Sequence, residues 1–224
     1  MNATGQNPFP HHAKVSLPTG TVPASADLYW LHSHSAGKES PLGVRYLQWR
    51  KRLTKAGDLQ KLRTESAAAY NRCLSQLQSA FESDLAGVEW GLAVQAPSCA
   101  PHAQEFAALA PRVRPDSLVV VFAYDCQEGE RKDSAEGASV EQLQAAMFAA
   151  QPLPRLGEVR QVMVIDDVYA DGKTAAAVVR KLWAHGLSPE ALVSVAVVLR
   201  VLPSKPCPKR DWLKIVKESS EGAT

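Results

Sequence analysis

Val162 to Leu182 reads VMVIDDVYADGKTAAAVVRKL, and this stretch decides the fold class. Val162, Met163, Val164 and Ile165 form a continuous apolar run too short for an independent helix, the pattern of a parallel strand buried on both faces. Two adjacent carboxylates, Asp166 and Asp167, end the run, and a small polar turn containing Gly172 follows. From near Thr174 the apolar residues Ala175, Val178, Val179, Leu182 and Trp183 recur at helical spacing, with Gly186 as the stop signal. The order is therefore strand, acidic end, short loop and helix.

In an open α/β sheet, ligands dock beyond the carboxyl ends of the strands, which is where Asp166 and Asp167 are expected to stand. Two carboxylates there suit ribose hydroxyls or a hydrated metal ion. The loop from Tyr169 to Thr174 is expected to aim backbone N–H groups and the Thr174 hydroxyl at a ligand beside the helix N-terminus, where the dipole favours a phosphate. Carboxylates for a sugar beside amides for a phosphate describe a ribose 5-phosphate site. An acidic pair alone is usually a solvated strand end; the strand and helix on either side are what favour a site here.

At these residues the chain resembles the type I phosphoribosyltransferases, whose phosphoribosyl pyrophosphate (PRPP) motif is four apolar residues, two acids and a loop ending Gly-x-Thr. Its compact layout is similar to the competence-associated members of that family. The resemblance implies a three-layer α/β fold, a parallel sheet flanked by helices. It implies that Asp166 and Asp167 are the catalytic and ribose-binding residues, and that Ala170, Asp171, Gly172, Lys173 and Thr174 hold the 5′-phosphate. It further implies Mg²⁺ as cofactor and displacement of pyrophosphate at the anomeric carbon by a nitrogenous base.

The PRPP motif is altered. Asp171 stands where the family usually has Thr or Ser before the glycine, so a carboxylate replaces a phosphate-binding hydroxyl unless it turns outward or is offset by Lys173. In the family, the loop after the first core strand binds pyrophosphate. Here it runs from Gln95 to His102, has no Lys or Arg, and contains Pro97 and Pro101, which cannot donate. Ser98 and Cys99 are its candidate pyrophosphate contacts. Cys99 beside His102 lacks an orienting acid and reads better as a packed thiol than as a nucleophile. The polar segment Cys126 to Ala138 reads as a mobile loop, from which Arg131 and Lys132 are further pyrophosphate candidates, although an exposed connection explains them equally well.

With 224 residues, 46% hydrophobic and 21% charged, the chain has the length and composition of one soluble domain with a substantial core plus appendages. A net charge of +2 compels no class of partner. No apolar stretch approaches the roughly 18 to 20 residues that cross a membrane, and no secretory pattern opens the chain, so a cytoplasmic protein without a membrane partner is expected. Cys73, Cys99, Cys126 and Cys207 are widely separated and form no CxxC pair, so free thiols are expected rather than zinc ligands. The zinc finger that competence-associated members often carry is missing.

Residues 1–40, rich in Pro, Ser and Thr, read as a flexible arm, in which His11, His12, His32 and His34 are solvated rather than metal-bound. Residues 41–85 read as a basic helical hood. Within it, Val44 to Arg63 carries seven cations opposed only by Asp58, interleaved with Tyr46 and Trp49. Arg50, Lys51 and Arg52 are therefore candidate nucleic-acid contacts, against the alternative of a helix with a solvated basic face. A helix is expected over Glu65 to Phe81. Residues 86–203 read as the α/β core, with strands over Trp90–Val94, Ser117–Ala123 and Ala191–Val201 and helices over His102–Leu109 and Val140–Met147. Residues 204–224 read as a tail, and His185 sits at a helix end without a catalytic role.

Two functions follow. One is transfer of a phosphoribosyl group from PRPP to a nitrogenous acceptor. The other is binding of PRPP or a nucleotide by a catalytically weakened relative, acting as a regulator or as part of an oligomer or nucleic-acid-containing assembly. A flavodoxin-like or other α/β protein with a coincidental acidic strand end is the third and plainest reading.

Overall fold

The apolar runs become the middle of one sheet. The computed structural model describes residues 11–20, 24–34, 75, 79, 91–97, 117–124 and 138–201. In chain order the elements are β1 (His11–Leu17), β2 (Ala24–His34), β3 (Leu92–Gln95), β4 (Leu118–Tyr124), α1 (Val140–Ala146), β5 (Met147–Ala149), β6 (Gln161–Tyr169), α2 (Lys173–Ala184) and β7 (Leu192–Val201). The strands form a seven-stranded sheet in the order β1-β2-β7-β6-β3-β4-β5. Its five central strands are mutually parallel, and β1 and β5 close the two edges antiparallel. The fold is thus α/β with a mostly parallel sheet.

Alternation divides the sheet into two faces. Leu28, Val94, Val164 and Val195 share a core with Val178, Val179 and Leu182 of α2 and with Val140 and Leu143 of α1. Met163, Ile165, Ala196 and Val198, which alternate with these, are buried as well. Burial on both faces explains why Val162–Ile165 of β6 and Val195–Leu199 of β7 read as unbroken apolar runs. Small residues on α2 (Ala175, Ala176, Ala177) are all buried, bringing that helix close to the sheet.

Local chemistry sets the helix ends. Ser139 and Gln142 form a capping box on α1: the Gln142 N–H donates to Ser139 Oγ (3.2 Å), and the Ser139 N–H to Gln142 Oε1 (2.8 Å). At the far end of α2, Gly186 takes φ +96°. The Gly186 and Leu187 N–H groups donate back to Trp183 O and Leu182 O, both at 3.0 Å, the Schellman pattern with its buried Leu182–Leu187 contact. His185 is the residue that caps this end. Arg180 of α2 is hydrogen-bonded to Glu141 of α1, and Lys181 Nζ donates to Gln144 O (3.4 Å).

Two expectations need correction, the flexible arm and the end of β6. Residues 1–40 are not simply a flexible arm, because β1 and β2 lie within them and β2 pairs with β7 over its length. The alternation Ala26, Leu28, Trp30, all buried, is a half-hidden strand pattern that the surrounding Ser, His and Pro obscure. The expected α/β fold with a parallel sheet is present, with antiparallel strands only at its edges, where β1 pairs with β2 and β5, directly after α1, folds back onto β4. Strand β6 runs four residues past Ile165, because β7 is long enough to pair with it out to Tyr169 and Arg200. The expected helices at Glu65–Phe81 and His102–Leu109, the 44–63 segment and residues 204–224 lie outside the described residues, apart from Ser75 and Ser79, which are helical. Among the described residues, no helix is long and apolar enough to cross a membrane.

Candidate functional site

The chain leaves β3 toward β4 on one side of the sheet and leaves β6 toward β7 on the other, so strand order reverses between the neighbours β3 and β6. A crevice opens at the carboxyl ends of strands wherever this happens, because the two connections diverge. Gln95 ends β3, and the acidic pair lies in the last four residues of β6.

The two carboxylates alternate across the sheet. Asp166 shares the parity of Val162 and Val164, on the α2 side, and is half-buried. Its Oδ1 accepts the N–H of Asp167 at 2.7 Å, which fixes that carboxylate against the backbone. Asp167 shares the parity of Met163 and Ile165 and is 1% exposed. Burying a carboxylate this deeply at a strand end is costly unless it has partners or a ligand to serve.

Beyond β6 the chain turns at Ala170 and Asp171, both exposed, and enters α2 through Gly172 at φ +77°. This glycine is required twice over. The left-handed backbone disfavours any side chain, and a Cβ would lie 2.6 Å from the Tyr169 hydroxyl, which closes over the turn. Burial raises the Tyr169 pKa; Arg200 acts to lower it and Asp171 to raise it.

Helix α2 begins at Lys173, and its first internal bond runs from the Ala176 N–H to Gly172 O (2.9 Å). The amides of Lys173, Thr174 and Ala175 therefore precede any acceptor within the helix. The Lys173 amide is already engaged: Asp171 Oδ1 accepts it at 3.1 Å, while Asp171 Oδ2 pairs with Lys173 Nζ at 3.2 Å. Asp171 thus turns back onto the helix start, and Lys173 balances its charge.

Two contributors were invisible in the sequence. Arg200, opposite Tyr169 in the β6–β7 register, places its guanidinium carbon 4.4 Å over the ring of Trp30 from β2. The Trp30 indole N–H donates to Ser33 Oγ (2.8 Å), and the opposite edge strand stacks His11 on the same indole. Only the extra length of β6 and the hidden strand β2 bring these groups to one end of the sheet. His12 instead pairs with Asp27 (3.1 Å) and stacks on Tyr29. Among the described residues, no group of three or more His, Cys, Asp or Glu side chains is placed to hold a metal ion. The candidates Ser98, Cys99, Arg131 and Lys132, and the basic residues Arg50, Lys51 and Arg52, lie outside the described residues.

No protein-family model matches the chain, and neither does any curated protein. Solved structures to which it is similar include three phosphoribosyltransferases. A purine phosphoribosyltransferase from Pyrococcus horikoshii Ot3 is 14% identical over 62% of this chain and 90% of that one, with a TM-score of 0.36. An orotate phosphoribosyltransferase from Aeropyrum pernix is 15% identical over 74% and 83%, with a TM-score of 0.37. A hypoxanthine phosphoribosyltransferase from Staphylococcus aureus is 13% identical over 62% and 68%, with a TM-score of 0.33. Likeness at these values is too loose to fix a family or an activity.

Proposed function

We propose that the chain binds a ribose 5-phosphate ligand, PRPP or a nucleotide, in the crevice at the carboxyl ends of β3 and β6. One observation carries this reading. A single continuous segment, Asp166 to Thr174, delivers two carboxylates, a left-handed glycine and a helix N-terminus to the point where strand order reverses. Asp166 and Asp167 bind the sugar hydroxyls, and the amides of Thr174 and Ala175 with the Thr174 hydroxyl face the phosphate.

The donor set also fits Mg²⁺, which takes carboxylate oxygens and keeps several waters or ligand oxygens of its own. Asp166 and Asp167 are the residues that would help hold it, directly or through the ligand. When bound, it would neutralise charge on a pyrophosphate leaving group.

The second reading is transfer. A nitrogen of the acceptor attacks the anomeric carbon, the carbon–oxygen bond to pyrophosphate breaks, pyrophosphate departs with the electron pair, and the nitrogen gives up a proton. The Asp171–Lys173 contact favours a weakened site over an efficient transferase, because the chain's own carboxylate occupies the Lys173 amide at the helix start and opposes a phosphate there. In either case we assign residues 86–203 with β1 and β2 to the core, residues 41–85 to an acceptor hood with nucleic acid as its alternative partner, and the protein to the cytoplasm.

Calorimetric titration with PRPP and Mg²⁺ tests the proposal. Binding heat is expected in the native chain and should vanish in an Asp166→Asn, Asp167→Asn variant that stays folded. Equal heat in the two proteins would refute it.

A further inference from the structure

We propose that Gln95 is a further ligand-binding residue, whose side-chain carbonyl accepts a hydrogen bond from a sugar hydroxyl on the Asp167 side of the sheet. This rests on the ribose 5-phosphate reading above and adds to it a residue that the acidic motif does not contain.

Strand β3 is central, paired with β4 on one side and β6 on the other. Its other residues, Leu92, Ala93 and Val94, are fully buried and apolar, as such a strand requires. Gln95 breaks the pattern at the last position, and its backbone does not explain why. It pairs in register with Ile165, and the next amide, Ala96 N–H, bonds Ile165 O at 2.9 Å, so the ladder continues past it. The side chain is 5% exposed, and its Oε1 is buried with no hydrogen-bond partner. A buried carbonyl left unpaired destabilises a fold, and such groups in native proteins call for a reason.

Position supplies the reason. Residues paired in a parallel ladder share a face, so Gln95 lies on the face of Ile165, and Asp167 is the next residue of β6 on that face. An uncommitted acceptor and a buried carboxylate therefore lie on one face at the carboxyl ends of two neighbouring strands. Two acceptors side by side suit a ligand that donates, which a hydroxyl does and a phosphate oxygen does not.

The test is Gln95→Met, which keeps length and removes both polar ends. The melting temperature of the unliganded variant should stay level or rise, while PRPP with Mg²⁺ should bind roughly three- to tenfold more weakly. A second measurement needs no variant fold: in the native chain, the Gln95 side-chain amide signals in NMR should move on adding ribose 5-phosphate and stay put on adding inorganic phosphate alone. Unchanged PRPP affinity in Gln95→Met, alongside loss in the Asp166→Asn, Asp167→Asn variant, would overturn the role of Gln95 and leave the ribose 5-phosphate reading standing. A lower melting temperature with unchanged affinity would make Gln95 a packing residue and overturn it too. Should Gln95→Met not fold, unmoved amide signals in the native chain that still binds PRPP would be decisive against it. If the native chain binds neither PRPP nor ribose 5-phosphate, the underlying reading fails, and this inference with it.

Discussion

Replacing Asp171 by Thr should tighten phosphate binding. The carboxylate is 62% exposed and reaches back to the start of α2, with Oδ1 3.1 Å from the Lys173 amide and Oδ2 3.2 Å from Lys173 Nζ. A phosphate seated on the same helix start would sit at about 4 Å from it. The repulsion per charge pair there is roughly 4 kcal/mol at an effective dielectric near 20 and roughly 1 kcal/mol in bulk water. Exposure and the Lys173 ion pair push the value toward the lower end, so a gain of about 1 to 2 kcal/mol is expected, or roughly five- to thirtyfold in the dissociation constant. Stability should move the other way. Losing the Asp171 contact to the Lys173 amide removes a cap-like bond, which costs about 0.5 to 1 kcal/mol. Calorimetry with PRPP and Mg²⁺, paired with thermal melts, reads both effects. Unchanged or weaker affinity in a folded Asp171→Thr protein would show that no phosphate sits on this turn.

Three further outcomes are expected. Gly172→Ala should destabilise the fold by about 1 to 3 kcal/mol, from the left-handed backbone and the Tyr169 hydroxyl together; adding Tyr169→Phe should recover part of that loss in urea melts, and strict additivity of the two changes would contradict the close approach. The Arg180 guanidinium, by hydrogen bonding to Glu141, holds that carboxyl down at about 2 from an ordinary 4.5, so its contribution is present above pH 4.5 and lost as pH falls toward 2; a Glu141→Gln variant should show a flatter acid-denaturation profile in that window, and an identical profile would exclude the tie. For the Val44–Arg63 segment, a hood predicts no nucleic-acid binding at physiological salt, and a nucleic-acid arm predicts steep salt dependence that Arg50→Ala, Lys51→Ala and Arg52→Ala together flatten, read by fluorescence anisotropy with single-stranded RNA and DNA.

The parts of the fold that were legible are those where one local signal suffices. The runs at Leu92–Gln95, Leu118–Tyr124 and Leu192–Val201 are bounded apolar segments, and each strand begins and ends within one or two residues of its expected place. Helix α2 announces itself by spacing and by Gly186, and α1 falls within one residue of the expected Val140–Met147, its Ser139–Gln142 capping box being a finding of the structure. Strands β1 and β2 escape a sequence reading because the alternation of Ala26, Leu28 and Trp30 is set among Ser, His and Pro, which composition assigns to a flexible segment. Strand β5 has only three residues, too few for any periodicity.

The site divides along the same line, between what the motif itself encodes and what its neighbours impose. That Asp166, Asp167, Gly172 and Thr174 belong to one constellation is a statement about adjacent residues, and sequence can make it. How far β6 extends is set by β7, and that extension changes the chemistry. With pairing carried out to Tyr169, the two carboxylates fall on opposite faces of the sheet, one held by its own backbone beside α2 and the other buried beside Gln95. It also puts Tyr169 where its hydroxyl closes over the turn, so the glycine is demanded by a packed ring as well as by backbone geometry. Arg200 then stands opposite Tyr169 and rests on Trp30, a contact joining the two ends of the sequence that no window along the chain contains. The consequence is electrostatic: among the described residues of β6, its following turn and β7, three carboxylates (Asp166, Asp167 and Asp171) and two cations (Lys173 and Arg200) share this end of the sheet. Asp171 and Lys173 neutralise each other at the surface, while Arg200 rests on its aromatic support, Trp30. Among these described residues this leaves Asp166 and Asp167 against Arg200, a formal excess of one negative charge, and on the proposed reading a phosphate at the start of α2 would have to compete with Asp171 for the Lys173 amide.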